Sequence, residues 1–208
     1  MNYKAVVEKI NERLVNSIKN VIKKYNLRYE IKELREVGGD HYRQTIVVYY
    51  KDYSEAMDID YYCYMDRIKI EFDWDKICDR KIKNYTNKAL EKIESKIKIR
   101  AMWIIKDFIE ECKEKDEIKN MENNVAEIFK TVFGTKPDRV TYYKYKNVFE
   151  VEYSRENDEE LIKVIISCVI KNDTLKVQEV KILDNNGNRL PFYLEQIAEI
   201  FKMMTAFI

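Results

Sequence analysis

Val6, Val7, Ile10, Leu14, Ile18, Val21, Ile22 and Tyr25 open the chain, separated by Lys, Glu and Asn. Steps of three and four put these side chains on one stripe, which predicts an amphipathic helix. After Tyr25 the period falls to two. LRYEIKELREV reads as a strand closed by the turn residues Gly38-Gly39-Asp40. YRQTIVVYY follows, with Tyr42, Ile46, Val48 and Tyr50 on one face. MDIDYYCYM sets Met57, Ile59, Tyr61, Cys63 and Met65 on one face, and Asp58, Asp60, Tyr62 and Tyr64 on the other. Asp66-Arg67 suits a two-residue hairpin, and IKIEFDW then turns Ile68, Ile70, Phe72 and Trp74 inward. Four strands in succession with short links read as an antiparallel meander.

A long helix is predicted from Asn84 to Lys115, its stripe drawn by Leu90, Ile93, Ile97, Ala101, Ile104, Ile105, Phe108 and Cys112 and widened by Met102 and Trp103. A shorter helix, MENNVAEIFKTVFG, ends at Gly134 with Pro137 beyond. The order of elements then recurs. Val125, Ile128, Phe129 and Val132 are spaced as Ile18, Val21, Ile22 and Tyr25 are, and RVTYYKYK answers RYEIKELR. VFEVEYS answers the Tyr42 strand, and LIKVIISCVIK answers the Cys63 strand with Cys168 placed 105 residues after Cys63. TLKVQEVKI answers the Ile68 strand, and a last helix from Leu190 to Phe207 closes the chain. The expected fold is α+β: two similar units, each helix, four-stranded antiparallel meander and helix, joined by the long central helix. Residues 1–117 and 118–208 form the two units, read as an internal duplication. In the second unit Ile165 and Val169 occupy the outward phase of the third strand, which reads as buried on both faces. In the first, the same phase carries Asp58, Asp60, Tyr62 and Tyr64, with Arg43, Tyr49, Lys69 and Glu71 from neighbouring strands, so one sheet face is left open.

Composition narrows the function classes. In 208 residues, 38 Lys and Arg balance 37 Asp and Glu, so no net field draws the chain to nucleic acid, to a membrane or to cationic partners. Only 4 Gly and 2 Pro occur, which leaves little material for a flexible catalytic loop. The four cysteines (Cys63, Cys78, Cys112, Cys168) lie far apart and His41 is the single histidine, so no metal-ligand cluster is spelled out and buried free thiols are expected. MNYKAVVEKINERL carries charges throughout, unlike a signal peptide, and no apolar run is long enough to span a bilayer. A cytoplasmic protein with no membrane partner is expected. Abundant Lys, Ile, Asn and Tyr point to an AT-rich bacterium, or its phage or mobile element, as the source.

Three kinds of chemistry can be weighed. Asp58, Asp60, Glu71 and Asp73 on neighbouring strands, with the Glu179-Val-Lys181 triplet, allow a metal-dependent nuclease in which carboxylates hold Mg²⁺. Alternating acids and lysines are, however, the ordinary dress of a wet strand face, and no acid stands where a nuclease core needs one before the triplet. No nucleophile motif accompanies His41, which reads as a solvent-exposed loop residue, and no glycine pattern forms a phosphate cradle. The 16 tyrosines are the most unusual feature. On an open sheet they could stack bases, which gives a nucleic-acid-binding alternative, but four acids on that face oppose a phosphate backbone. Tyrosine amid mixed charge suits a protein partner better. The sequence therefore points to a non-catalytic intracellular protein-binding module, of inhibitor, immunity or adaptor type. No cofactor and no metal are expected, and the candidate partner-binding residues are Tyr49, Tyr62, Tyr64, Arg43 and Lys69.

Overall fold

A computed structural model describes residues 3–156, 161–171, 174–184 and 186–190. The chain is α+β, with two antiparallel sheets and two α-helices among the described residues. It divides into two units, Met1–Lys113 and Glu114–Ile208.

The first unit begins with α1 (Tyr3–Lys24), whose stripe buries Val7, Ile10, Leu14, Ile18 and Ile22. Six strands follow: β1 (Arg28–Ile31), β2 (Arg35–Glu36), β3 (His41–Tyr50), β4 (Tyr53–Tyr64), β5 (Arg67–Phe72) and β6 (Asp75–Lys81). They form one sheet in the order β1-β3-β4-β5-β6, with β2 also on β3. This is not the expected four-stranded meander. The strand read over 27–37 is broken, because Ile31 faces Ile46 while Arg35 faces Arg43. Three residues of the outer chain thus oppose two of β3, and the extra one interrupts the ladder.

Two inward assignments also fail, and for one reason. Met65 and Trp74 extend the strand alternation on paper, but both lie in hairpin turns and are 87% and 80% exposed. Tyr64 pairs with Arg67 and Phe72 with Asp75, so Met65-Asp66 and Asp73-Trp74 are the two-residue loops. Met65, Asp73 and Trp74 all take positive φ (53°, 49° and 68°), the backbone that such loops demand.

The helix α2 runs unbroken over Asn87–Phe133, so the two helices expected at 84–115 and 121–134 are one. Its end is as expected: Gly134 sits at φ 76° and its N–H donates to Lys130 O at 2.9 Å. Met102 and Trp103 do not widen the buried stripe. They face water, at 37% and 57% exposure, while Leu90, Ile93, Ile97, Ala101, Ile105, Phe108 and Cys112 join the core of the first unit. That core lies on the face of the sheet carrying Tyr42, Ile46, Met57, Ile59, Tyr61, Ile68, Ile70 and Phe72. It holds one polar network. Asn11 Nδ2 donates to Gln44 Oε1 and Tyr61 OH donates to Asn11 Oδ1, both at 2.9 Å, and Gln44 Nε2 donates to Lys32 O at 2.6 Å. Each polar group of this network is paired, as burial requires.

In the second unit β7 (Arg139–Tyr143), β8 (Val148–Glu156), β9 (Leu161–Lys171) and β10 (Thr174–Leu183) form a four-stranded antiparallel meander. Val125 and Phe129 of α2 pack on Phe149, Val151, Tyr153, Val164, Ile166 and Cys168. Ser167 and Val169, in the other phase of β9, are buried as well, at 8% and 6%. Beyond Leu190 the expected last helix lies outside the described residues.

The two sheets share one register. Tyr42, Tyr61 and Ile70 face one another across β3, β4 and β5, as Phe149, Cys168 and Val177 do across β8, β9 and β10. Each residue of the second row lies 107 positions after its counterpart. Arg67 and Thr174, which open β5 and β10 after their hairpins, have the same spacing, as do Ile18 and Val125 in the helices, both fully buried. The spacing of 105 read from Cys63 and Cys168 is therefore wrong. Tyr61, not Cys63, occupies the place of Cys168.

Candidate functional site

The open face of the first sheet is built from the alternate residues of three strands. Register places His41 opposite Tyr62, Arg43 opposite Asp60 and Thr45 opposite Asp58 on β3 and β4. On the other side Tyr62 faces Lys69, Asp60 faces Glu71 and Tyr64 faces Arg67. Cross-strand neighbours at this spacing are close enough to bond directly.

Asp60 is the centre of the face. Only 4% exposed, it accepts from His41 Nε2 at 2.7 Å and from Arg43 Nε and Nη2 at 2.8 and 3.2 Å. A fork of this kind is the strong form of an ion pair, and it holds the Arg43 guanidinium above its ordinary pKa. Arg43 Nη1 also lies 3.5 Å from Asp58 Oδ2, and Thr45 Oγ1 donates to Asp58 Oδ1 at 2.5 Å. Lys69 pairs with Glu71, and Arg67 Nε donates to Asp79 of β6 at 3.0 Å. The Tyr64 hydroxyl, with Arg67, keeps the Asp79 carboxyl below its usual range.

The tyrosines sit within this lattice. Tyr62 stacks on the His41 ring with centroids 4.3 Å apart and planes 14° from parallel, and Lys69 Nζ lies over its other side, 5.1 Å from the centroid. Burial, with the charges of Asp60 and Glu71, raises the Tyr62 hydroxyl pKa. Tyr64 continues the row and is 39% exposed, with Arg67 Nε 3.3 Å from its hydroxyl.

Of the five residues singled out from sequence, the structure gathers Arg43, Lys69, Tyr62 and Tyr64. Tyr49 stands apart. It pairs with Arg28 and Ser54 towards the other end of β3, about 20 Å along the strand from Arg43. There its hydroxyl donates to Glu30 at 3.1 Å and Arg28 covers its ring. His41 is not a free loop residue. It opens β3, and its imidazole is tied to Asp60 and Tyr62. The residues that sequence reasoning missed, His41, Arg67 and Asp79, belong to the lattice through cross-strand register. The one available signal was that the Gly38-Gly39 turn brings a new strand in at His41.

The other candidate chemistries are dispersed. Among the described residues, no three His, Cys, Asp or Glu side chains gather as a metal site needs. Asp58 and Asp60 are engaged by Arg43, while Glu179 and Lys181 belong to the second unit, where Lys181 Nζ pairs with Glu179 at 3.1 Å. The thiols of Cys63 and Cys168 are pushed up to about 11 by burial, the reverse of what a nucleophile needs. No protein-family model, no curated protein and no solved structure matches this chain.

Proposed function

We propose that the chain is a non-catalytic, cytoplasmic protein-binding module whose partner docks on the open face of the first sheet, around Tyr62 and Tyr64 and the charged side chains of Arg43 and Lys69. One observation carries the reading: each of Asp58, Asp60, Glu71 and Asp79 is engaged by a cation of the same face. A face whose charges answer one another offers no one-signed track to a phosphate backbone. It offers instead a fixed surface with tyrosines held by stacking and hydrogen bonds, the kind of pre-organised aromatic contact that protein partners use. An inhibitor, immunity or adaptor role fits a chain so poor in glycine and loops.

The two units belong in this proposal as products of a duplication. Its support is the spacing of 107 shared by the ladders that join β3, β4 and β5 and those that join β8, β9 and β10, and by the buried helix residues Ile18 and Val125. In this reading the first copy gained β6 and the break between β1 and β2. Superposing β3–β5 on β8–β10 should bring Ile18 onto Val125, and a fit at any other spacing would remove that support.

The binding face is tested by placing a photo-crosslinking amino acid at Tyr64, and as a control at exposed Lys9 of α1, in the native host. The expected result is one stoichiometric adduct from position 64 and none from position 9. In the wild-type background, co-purification of that partner should be lost with Tyr62→Ala and Tyr64→Ala together. Capture that survives both substitutions would place the site elsewhere.

A further inference from the structure

The chain has two tryptophans, and both face water: Trp74 at 80% and Trp103 at 57% exposure. They lie at one corner of the first unit. Lys96 Nζ donates to Ile77 O at 3.4 Å and Arg100 Nε lies 2.8 Å from Asp75 Oδ2, so α2 runs beside β6 towards the β5–β6 turn. Trp103, one helical turn past Arg100, therefore comes level with that turn and with Trp74. Trp74 occupies the second loop position at φ 68°, where a hairpin of this type favours glycine. A bulky side chain held in that conformation in full solvent is strained without gaining burial, and such outliers cluster where a contact is made.

The helix supplies the rest of the patch. Opposite its buried stripe runs the line Lys88, Lys92, Ser95, Ile99, Trp103 and Lys106, all exposed. Ile99 is 56% exposed and Met102, beside it, 37%. This line carries no carboxylate. From Asn87 to Lys106 six cations stand against Glu91 and Glu94. Glu94 is bonded by Arg13 at 2.6 Å, Arg100 lies against Asp75 beside Trp74, and exposed Asp107 and Glu110 follow, so the excess sits on Lys88, Lys92, Lys96 and Lys98. The near-neutral charge of the whole chain conceals this local excess.

We propose that this corner docks on an anionic phospholipid surface, with Trp74, Ile99, Met102 and Trp103 entering the interface and the lysines of α2 meeting the headgroups. Interfacial helices combine these same parts: an apolar patch containing Trp, and lysines flanking it. The aliphatic side chains at its centre favour lipid over nucleic acid, because Ile and Met bury among acyl chains but offer no ring for stacking. The line is a ridge with a hairpin tip beside it, and a fluid surface can close around both. The helix lies on the membrane here and does not cross it; no described helix is long and apolar enough to cross.

Because both tryptophans sit in the patch, the intrinsic emission of the full-length protein reports on it directly. Phosphatidylcholine vesicles containing phosphatidylserine should shift that emission to the blue, and acyl-brominated phosphatidylcholine mixed in should quench it. Vesicles of phosphatidylcholine alone should do neither. Lys88→Gln, Lys92→Gln and Lys106→Gln together should weaken vesicle binding about a hundredfold, at about fivefold per lysine. Trp74→Phe and Trp103→Phe should each leave a single reporter that still shifts. Tyr62→Ala with Tyr64→Ala should change nothing, so this test stands or fails separately from the protein-binding face. An unshifted emission on the anionic vesicles, equal binding to neutral ones, or a response to single-stranded RNA in place of lipid would each overturn the proposal. The substituted lysines and tryptophans are exposed, and an unchanged far-ultraviolet spectrum checks that every variant, including the one at half-buried Tyr62, folds.

Discussion

Replacing Asp60 by Asn keeps its shape and withdraws the charge that holds both Arg43 and His41. Breaking a buried pair leaves its partner uncompensated. Since the Arg43 and His41 side chains are about a fifth exposed, we expect a loss of about 2–3 kcal/mol, read from the denaturant midpoint. A second residue-scale test concerns the polar network of the core. Asn11→Leu strands Gln44 Oε1 and the Tyr61 hydroxyl, at about 1–3 kcal/mol for each group left unpaired. Adding Tyr61→Phe removes one of those stranded groups, so the double variant should be more stable than the sum of the two single losses. The thiols give a pH dependence. Cys63 and Cys168 ionise near 9 when unfolded and near 11 in the folded chain, so the folded state holds their protons more tightly. Stability should thus be full below pH 9 and fall as pH rises towards 11, and the slope should shrink in Cys63→Ala.

At the scale of elements, the hairpin at Asp73-Trp74 offers a direct test of strain. Trp74→Gly relieves a left-handed backbone that costs a bulky residue about 1–2 kcal/mol, an amount that the greater freedom of glycine when unfolded partly offsets. The variant should melt at least as high as the parent, although it has lost a tryptophan. That turn also shows where pattern reading stops. Alternation correctly placed Ile59, Tyr61, Ile68, Ile70 and Phe72 in the core, since strand period fixes which face a side chain takes. It could not say where a strand ends when the loop residues are Met-Asp or Asp-Trp in place of the usual Gly and Asn. β6, with the sequence DKICDRK, has no apolar rhythm, because it is an edge strand defended by charge. The helical break expected near Lys115 failed for a related reason. KEKDEIKN looks like a loop by polarity, but Lys and Glu are strong helix formers and sustain α2 through it. That Arg43, Tyr62, Tyr64 and Lys69 share one face was legible from their common phase. Their ion-pair partners were not, because those depend on the register between strands.

For the whole molecule, two separate cores imply two separable transitions. Among the described residues the cluster in the first unit is the larger, drawing on α1, five strands and α2, while the second rests on Val125, Phe129 and one face of four strands. The buried thiols of Cys63 and Cys112 report the first unit, and that of Cys168 reports the second. In rising denaturant, Cys168 should react with a thiol reagent before Cys63 and Cys112 do, and simultaneous labelling would show a single cooperative unit. The open face has a last consequence, for ionic strength. Its charges already satisfy one another across β3, β4 and β5, so added salt has little to screen between that face and a partner. The lysine line of α2 has no such internal answer. A partner held by the tyrosines should therefore stay bound through a salt titration that strips the protein from anionic vesicles, and one molecule would carry two attachments told apart by salt alone.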